Sequence, residues 1–253
     1  MSTATKADYN IEKVSLNKNC PNCGKPLYGA YIMGNLIPFT CACELEKAAQ
    51  EEKDRKEYER KKKIKMNRYY SGFPKKQEKQ RFENFEQRAE CDRLYRTCKK
   101  YVEMFSEMKK GLLLIGSCGA GKTHLACAIG NELLDRGYTV RFCRATDIFE
   151  RLRGSYSGSE ESEYDIISEY KNCRLLIIDD VGVTAPSEWS KAILQSLIDD
   201  RINNERPTIM TTNLSQEELG KKLDARTMDR ITEGFYVVTT QAKSYRQELG
   251  TWS

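Results

Sequence analysis

The chain has 253 residues, of which 39% are hydrophobic and 31% charged, and its formal net charge is +5. This composition excludes an intrinsically disordered or membrane-embedded chain, and the length fits one sizeable core with a small appendage. The polar N-terminus lacks the apolar core of a signal peptide, and no apolar run approaches the length that spans a bilayer. We therefore expect a cytoplasmic protein without a membrane partner, whose mild positive charge only permits a polyanionic partner.

The chain contains ten cysteines, and four of them lie close together. Without an export signal, cysteines are better interpreted as reduced thiols or metal ligands than as disulfides. The turn-rich stretch "CPNCGKPLYGAYIMGNLIPFTCAC" places two pairs at Cys20, Cys23, Cys41 and Cys43. Two such pairs can converge on one zinc ion, which replaces the core that so short a segment cannot build. We predict a structural zinc site, with four unrelated thiols as the alternative.

A long charged helix is predicted from Glu44 to about Arg68, because this stretch lacks proline and glycine and repeatedly places a basic residue four positions after a glutamate. Its few apolar residues indicate a solvated linker. The last part, "RKKKIKMNR", fits either a soluble helix face or a phosphate-binding patch. Gly72 and Pro74 then end the helix. We thus expect a cysteine-rich module at 1–43, a helical linker at 44–74 and the main domain at 75–253.

Beyond residue 80, short apolar strands alternate with helices. The strands are predicted at Leu112–Ile115, Thr139–Cys143, Leu175–Ile178, Thr208–Thr212 and Tyr236–Thr239. The main helices are predicted at Cys91–Met108, Lys122–Arg136, Thr146–Arg153 and Trp189–Asn204. Strands of this kind, separated by helices, indicate an α/β fold with a parallel five-stranded sheet covered on both faces. The polar stretch "RGSYSGSEESEYD", residues 153–165, predicts a surface loop or a mobile segment.

The stretch "GSCGAGKT" matches the phosphate-binding pattern G-x-x-x-x-G-K-[ST], and it lies between an apolar strand and a helix, as the pattern requires. Backbone N–H groups can wrap the phosphates, while Lys122 reaches the terminal phosphates and Thr123 offers its hydroxyl to magnesium. We expect side-chain packing, and no chemistry, from Cys118 and His124. The predicted nucleotide-binding segment is Gly116, Ser117, Cys118, Gly119, Ala120, Gly121, Lys122, Thr123 and His124.

Two adjacent carboxylates, Asp179 and Asp180, end the strand in "RLLIIDDVG". A carboxylate that ends a strand beside a phosphate loop can hold magnesium against the bound triphosphate, and we assign this role to Asp179. Asp180 is then placed to orient or activate the attacking water. The alternative for Asp180 is a helix N-cap or loop acid, and many ATPases have the longer glutamate at this position.

Four further polar side chains follow strands or share a helix face. Asn213 ends the stretch "PTIMTTNL" and can bind the attacking water or simply cap a turn. Arg226 and Arg230 lie four residues apart in "DARTMDRITEGF", so they share one face of a predicted helix. Either can be a surface cation or an arginine inserted into a neighbouring subunit's site. Arg246, after the last strand, is a further candidate phosphate contact.

Together, "GSCGAGKTHLACAIGNEL", "LLIIDDVG", "SEWSKAILQSLIDDRINNERPTIMTTNL", "ARTMDRITEG" and "SYR" resemble the AAA+ helicase loaders of the DnaC and DnaI type and the related IstB transposition ATPase. The resemblance covers roughly residues 82 to 247. It implies an AAA+ P-loop ATPase core, ATP and Mg²⁺, and a ring or spiral with sites shared between subunits. It also implies Walker A at Lys122 and Thr123 and Walker B at Asp179 and Asp180. Asn213 then matches sensor 1, Arg230 the arginine finger, with Arg226 as its rival, and Arg246 sensor 2.

The resemblance further implies two partners: the replicative helicase, bound by the N-terminal module, and single-stranded DNA, bound by the ring. Arg144, Arg151 and Arg153 are the DNA contacts that the sequence suggests. Three alternatives remain for the function. They are a transposition helper that binds duplex DNA and a transposase, an ATP-bound scaffold that does not hydrolyse, and a small-molecule kinase.

Overall fold

The computed structural model describes residues 12–156, 161–182 and 187–242, and the chain forms two compact units, Met1–Lys61 and Lys62–Ser253. Within those ranges, no helix has the length and apolar character needed to cross a membrane. The units divide inside the long helix. The domain boundaries expected at residues 43 and 74 stay a prediction.

The first unit contains a small antiparallel sheet. Its strands are β1 (Val14–Asn19), β2 (Pro26–Ile32) and β3 (Asn35–Pro38), in the order β1-β2-β3. Met33 and Gly34 connect β2 to β3 with φ values of 49° and 80°, the left-handed pair that a tight two-residue hairpin needs. The charged helix α1 (Ala42–Tyr69) follows, and none of its residues, all of which the structure describes, is buried. The predicted solvated helix is therefore present.

The second unit contains a five-stranded parallel sheet. Its strands are β4 (Gly111–Ile115), β5 (Val140–Arg144), β6 (Leu175–Asp179), β7 (Thr208–Thr212) and β8 (Phe235–Thr239). They lie in the order β5-β6-β7-β4-β8. Every residue of β4, β6 and β7 is buried. The expected α/β fold is confirmed, and the carboxyl ends of its three central strands meet at one edge of the sheet.

Helices cover both faces of this sheet. They are α2 (Asp92–Glu103), α3 (Lys122–Asp135), α4 (Ala145–Ser155), α5 (Glu163–Asn172), α6 (Glu188–Asn203), α7 (Gln216–Lys222) and α8 (Ala225–Gly234). Alternate residues of β4 point to opposite faces, as the pleat of a strand requires. Leu112 and Leu114 join the core under α2 and α3, whereas Leu113 joins the core under α4 to α6. A single strand thus anchors both cores.

Two predicted elements differ from the structure. The loop predicted over 153–165 contains the end of α4 and the start of α5, with residues 157–160 outside the described part. Helix α5 is capped by Ser162, whose hydroxyl accepts the Asp165 N–H at 3.1 Å, and it buries only Ile166 and Tyr170. So few buried positions give no clear helical pattern in the sequence. The helix predicted to reach Met108 ends at Glu103 instead. The fully buried Phe105 lies beyond its end, in a separate short turn.

Residues just after α1 cover the edge of the sheet. The Phe142 N–H of edge strand β5 donates to Ser71 O at 2.7 Å. Gly72 has a φ of 75°, and a Cβ atom there would lie 2.6 Å from Phe142 O, so the contact requires glycine. Arg68 reaches Asp135 at 2.6 Å and Asn131 at 3.0 Å on α3. These contacts place the last turn of α1 within the second unit and leave less of the β5 edge exposed.

Candidate nucleotide site and cysteine cluster

The loop between β4 and α3 has the backbone form that a phosphate-binding loop needs. Gly119 and Gly121 have φ values of 78° and 86°, a region that favours glycine. A Cβ atom at Gly121 would lie 2.6 Å from the Phe85 ring, and one at Gly116 would lie 2.6 Å from Thr240 Cγ2. Both glycines of the pattern, and Gly119 between them, are thus needed for turning the chain or for close packing.

Lys122, at the start of α3, is buried and bends back over the loop. Its Nζ atom donates to Gly116 O and Ser117 O, both at 2.9 Å. Ser117 itself donates to Ala242 O at 2.6 Å, which fixes the loop against the segment after β8. The ammonium group therefore lies directly beside the loop whose N–H groups and helix N-terminus attract anions.

Asp179, at the end of β6, is joined to the loop helix and to β7 by two hydroxyl groups. Thr123 Oγ1 donates to Asp179 Oδ1 at 2.8 Å, and Thr211 Oγ1 donates to the same oxygen at 2.6 Å. Burial raises the pKa of Asp179, the two hydrogen bonds oppose this, and the Asp180 charge adds to the rise. Thr211 was not predicted from the sequence, where its only signal is its position next to the end of an adjacent strand.

Asp180 turns away from the core. Its side chain is exposed, its φ is 57°, and its N–H donates to Thr211 Oγ1 at 3.0 Å. The next described helix, α6, has Ser187 as its N-cap, so Asp180 does not cap it. Asp180 thus caps none of the helices in the part of the chain that the structure describes, and its catalytic role stays a prediction beside a simple loop role. Asp180 and Asp179 share the cavity described next.

The loop and the strand ends line a cavity of about 510 Å³, which is within the usual size of ligand pockets. Asn213, the residue after β7, crosses to the loop, where its Nδ2 lies 3.4 Å from Cys118 Sγ. The segment before α2 forms a second wall of the cavity, in addition to the phosphate loop and the strand ends. This wall was not predicted from the sequence. Its lining residues are Lys76, Gln77, Gln80, Asn84, Phe85, Glu86 and Arg88.

The side chain of His124, a residue of α3, packs against this second wall. Its Nε2 lies 2.8 Å from Arg81 O, which fits an N–H donor, and its ring makes an edge contact with Phe85 at 5.2 Å. Burial lowers the pKa of His124. The neutral ring therefore supports the segment that closes the cavity, which agrees with the packing role expected for it.

The four N-terminal cysteines converge within the first unit. Cys20 Sγ lies 3.4 Å from Cys43 Sγ, and Cys23 Sγ lies 3.5 Å from Cys41 Sγ. All four sulfur atoms lie within 4.8 Å of one another. The N–H groups of Cys23 and Asn22 point at the first sulfur and lower the pKa of Cys20 to about 7, which favours the thiolate that metals bind. The cluster is thus a candidate metal site. The six other cysteines lie outside it.

The sequence matches a known family over most of its length. The profile of the family described as "IstB-like ATP binding protein" matches residues 42–251. The chain belongs to this IstB-like ATP-binding family. Three of the four clustered cysteines, Cys20, Cys23 and Cys41, lie before the matched region.

Individual relatives of this IstB-like protein are replicative helicase loaders. The replicative helicase loader DnaC of Escherichia coli strain K12 is 38% identical over 156 residues, which are 60% of this chain and 63% of that protein. The corresponding loader of Buchnera aphidicola subsp. Acyrthosiphon pisum is 30% identical and is covered over 69% of its length, against 66% of this chain. A crystal structure of the DnaC helicase loader superposes with a TM-score of 0.61 at 26% identity, over 66% of this chain and 100% of that one. The expected AAA+ core is confirmed, although the match spans less than two thirds of the Escherichia coli protein.

Arg226 and Arg230, the two candidates for the arginine finger, both lie on α8. Arg230 Nε donates to Asp199 at 2.8 Å, and its other nitrogens bind Asn203 and Glu233. The Asp199 carboxylate raises the pKa of Arg230. The Arg226 side chain is 76% exposed and only approaches Asp199, at 4.0 Å. The described lining of the cavity includes neither, and Arg246 lies outside the described residues.

The three arginines predicted to contact DNA lie in different surroundings. Arg144 ends β5 opposite Asp179 and lines the nucleotide cavity. Arg151 binds Glu161 and Glu169, each at 2.8 Å. Arg153 lies 5.4 Å from the centre of the Trp189 ring. A DNA contact by these residues stays a prediction, and two of them already have protein partners.

Proposed function

We propose that this chain is an ATP-dependent loader that places a replicative helicase on single-stranded DNA in the cytoplasm. The observation that carries the proposal is 38% identity to a replicative helicase loader, and it is supported by a cavity that Lys122, Thr123, Asp179, Asp180 and Asn213 line together. ATP binding and hydrolysis would switch a ring or spiral of subunits. In such a loader, hydrolysis would set the moment at which the subunit assembly changes. Slow ATP turnover is therefore compatible with the function.

The residues of the cavity fit ATP with magnesium. The Thr123 hydroxyl and the Asp179 carboxylate lie 2.8 Å apart and form an oxygen donor set of the kind magnesium prefers. When bound, Mg²⁺ neutralises phosphate charge. Lys122, now bound to Gly116 O and Ser117 O, would turn toward the terminal phosphates.

Hydrolysis would use the exposed edge of the same cavity. Asp180 would accept a proton from the attacking water or orient it, and Asn213 would hold the water or the terminal phosphate. Arg230 of a neighbouring subunit would stabilise the charge that develops on the transferred phosphate, with Arg226 as the alternative. Arg246 would contact the phosphates from the chain's own side.

The cysteine cluster fits a structural zinc ion. Four thiolates around zinc at the usual Zn–S distance lie about 3.8 Å apart. The observed separations of 3.4 and 3.5 Å are close to this spacing. Cys20, Cys23, Cys41 and Cys43 would fill all four positions, so the ion would hold the fold of the first unit and carry out no reaction.

The first unit exposes apolar side chains that suit a protein partner. Its hairpin and the residues beside it carry seven partly or fully exposed large hydrophobic residues: Tyr28, Tyr31, Ile32, Met33, Leu36, Ile37 and Phe39. Met33, at the tip of the hairpin, is 98% exposed. A concentration of exposed apolar side chains on so small a unit marks an interaction surface. We assign this surface, the hairpin surface, to the helicase.

Binding of the purified replicative helicase of the source organism to the full chain tests this assignment. Tyr31→Ser should weaken binding at least about tenfold, because an aromatic anchor at an interface often contributes 2 kcal/mol or more. Tyr58→Ser is the matched control, since Tyr58 on α1 is 69% exposed and Tyr31 is 63% exposed. Equal helicase binding by both variants contradicts the assignment, and binding of a transposase instead of the helicase would favour the transposition helper.

ATP turnover of the wild type and of Asp180→Asn tests the enzyme claim. We expect slow turnover by the wild type and a loss of about 100-fold or more in the variant, with ATP binding retained. A wild type that binds ATP but shows no turnover, even with helicase and single-stranded DNA present, would instead be an ATP-bound scaffold.

A further inference from the structure

The last two turns of α1 and the residues after them carry a concentration of positive charge. Residues 62–77 contain no aspartate or glutamate. Their basic residues are Lys62, Lys63, Lys65, Arg68, Lys75 and Lys76. The ion pairs that residues of α1 form with one another end at Lys61, whose Nζ lies 3.6 Å from Glu57. Lys62 and Lys65 are exposed and have no carboxylate partner in the described ranges, so their charges are available to an anion.

One face of these two turns is held against α3 and the residues that follow it. Asn67 Nδ2 donates to Gly137 O and to Tyr138 O, both at 3.1 Å. Arg68 binds Asp135, the last residue of α3, at 2.6 Å. These contacts fix the rotation of the helix about its axis. The residues on its opposite side are therefore held in one arrangement and face solvent.

The outward face combines its cations with aromatic rings. Lys62, Lys65 and Tyr69 are spaced by three and four residues, so they share one side of the helix. The Tyr69 ring is 80% exposed, and it meets the half-exposed ring of Tyr70 edge to face, with 5.0 Å between the ring centres. Two large rings exposed beside lysines without a carboxylate partner indicate a binding surface. We call Lys62, Lys65, Tyr69 and Tyr70 the linker patch.

We propose that the linker patch binds single-stranded DNA, with Lys62 and Lys65 contacting phosphates and Tyr69 stacking on a base. Proteins that bind single strands combine a basic surface with exposed aromatic rings in this way. A duplex keeps its bases paired and away from such a ring. A helix that lies on a membrane needs a broad apolar face, whereas Met66 is the one aliphatic side chain that these two turns fully expose. The inference rests on the proposed function in one respect, that the nucleic acid is DNA.

Binding of a fluorescently labelled oligo(dT) to the full chain, followed by anisotropy at low salt without nucleotide, tests the role of the lysines. The double variant Lys62→Ala, Lys65→Ala should bind at least about tenfold more weakly. The slope of log Kd against log salt concentration should fall by about 1.4, because each phosphate contact on a single strand contributes about 0.7. The matched control is Lys53→Ala, Lys56→Ala. These two exposed lysines have the same spacing on α1, but Lys56 already binds Glu52.

The role of the ring is tested in the same assay. Tyr69→Ser should weaken binding about tenfold and leave the salt slope unchanged, because stacking on a base releases no ions. Tyr69→Phe keeps the ring and should bind like the wild type. Binding of a duplex should be equal for the wild type and Tyr69→Ser. Tyr164→Ser is the control, since Tyr164 is 79% exposed but lies between Glu163 and Asp165, which repel DNA.

The outcomes separate the proposal from the function on which it rests. If the wild type binds oligo(dT) and the double lysine variant binds it equally well, the proposal is wrong while the loader function stands. The proposal is also wrong if Tyr69→Ser weakens single-strand and duplex binding alike. Binding to vesicles of anionic phospholipid but not to oligo(dT) would assign the patch to a membrane surface instead. A wild type that binds oligo(dT) neither with nor without ATP would remove the DNA contact of the proposed function as well.

ATP affinity shows whether a variant is folded. None of the four residues of the linker patch lines the nucleotide cavity, so each variant should bind ATP as the wild type does. Alanine is also the best helix former, so the lysine variants keep α1. A loss of oligo(dT) binding at unchanged ATP affinity is therefore the result that the proposal predicts.

Discussion

Thr211 Oγ1 lies 2.6 Å from Asp179 Oδ1 and also accepts the Asp180 N–H at 3.0 Å. One buried hydroxyl thus holds both adjacent acids, the first through its carboxylate and the second through its backbone. This explains how two like charges follow one another at the end of a buried strand. Their side chains are separated, since Asp179 points inward to hydroxyl donors and Asp180 outward to solvent.

Thr211→Val tests this arrangement, because valine keeps the shape of threonine and removes the hydroxyl. We expect ATP turnover to fall about tenfold and the free energy of unfolding to fall by about 1–3 kcal/mol, since the Asp180 N–H loses its partner and Asp179 Oδ1 keeps only the hydrogen bond from Thr123. ATP affinity should change less than turnover does. The measurements are steady-state turnover, nucleotide binding and chemical denaturation. Thr232→Val, an exposed site on α8, is the control, and equal turnover of the two variants would contradict the account.

Zinc content tests the cysteine cluster. Purified protein should carry about one zinc ion per chain, and Cys23→Ser should lose most of it, because a structural site needs all four ligands. Cys118→Ser should keep the zinc, since Cys118 lies outside the cluster. Loss of the ion should make the first unit sensitive to proteolysis, because residues 12–61, the part of this unit that the structure describes, have few other buried side chains. A zinc-free wild type with a protease-resistant first unit would exclude the site.

Arg201 on α6 is a buried cation that holds three segments together. Its side chain is 1% exposed, and it donates to Tyr170 O at 2.7 Å, to Pro207 O at 2.6 Å and to Thr208 Oγ1 at 2.8 Å. Arg201→Leu should lower the free energy of unfolding by about 3 kcal/mol or more, because several acceptors are orphaned at once. Arg201→Lys should recover little of this, since an ammonium group cannot reproduce the planar fork. Denaturant titration measures both, and a change near zero, like that expected for exposed Arg226→Leu, would show the contacts to be unimportant.

The proposed arginine finger can be tested by mixing variants. Arg230→Ala should lower turnover by about 100-fold or more at unchanged ATP affinity, as removal of a finger does. Mixing it with Asp180→Asn should restore part of the turnover, because each subunit supplies the group that the other lacks. Arg230 also binds Asp199, so thermal unfolding of the variant must be measured to separate a structural effect. If Arg226→Ala shows the loss and the rescue instead, the finger is Arg226.

The features that the sequence predicts are those set by local chemistry. The phosphate loop is recognisable because its glycines, Lys122 and Thr123 must occur at fixed spacing between a strand and a helix. The strands were predictable because a buried parallel strand is apolar along its whole length. Asp179 was predictable as well, since the carboxyl ends of parallel strands meet at one edge. For the same reason, the expectation that Asn213 lies near the loop agrees with the structure.

The features that the sequence does not predict depend on distant segments meeting. Gln80 and Phe85 lie more than thirty residues before the loop helix in a stretch without periodicity. Asn131 holds the backbone of Gln80 at the cavity, and Phe85 packs on His124. Arg201 appears in the sequence as one more charged helix residue, although it is fully buried. Helix α5 was not predicted because its composition is largely polar: only Ile166 and Tyr170 are buried, and Ile167 packs against the core while partly exposed.

The most direct test of the central claim is a loading assay on closed circular single-stranded DNA. A hexameric ring cannot thread onto a circle without being opened or assembled there, so retention of helicase on the circle reports loading. With ATP and purified helicase of the source organism, the wild type and Tyr58→Ser should increase the helicase retained, whereas Lys122→Ala and Tyr31→Ser should not. Helicase retention that is the same with and without this chain, under conditions where the chain binds ATP, would contradict the loader function.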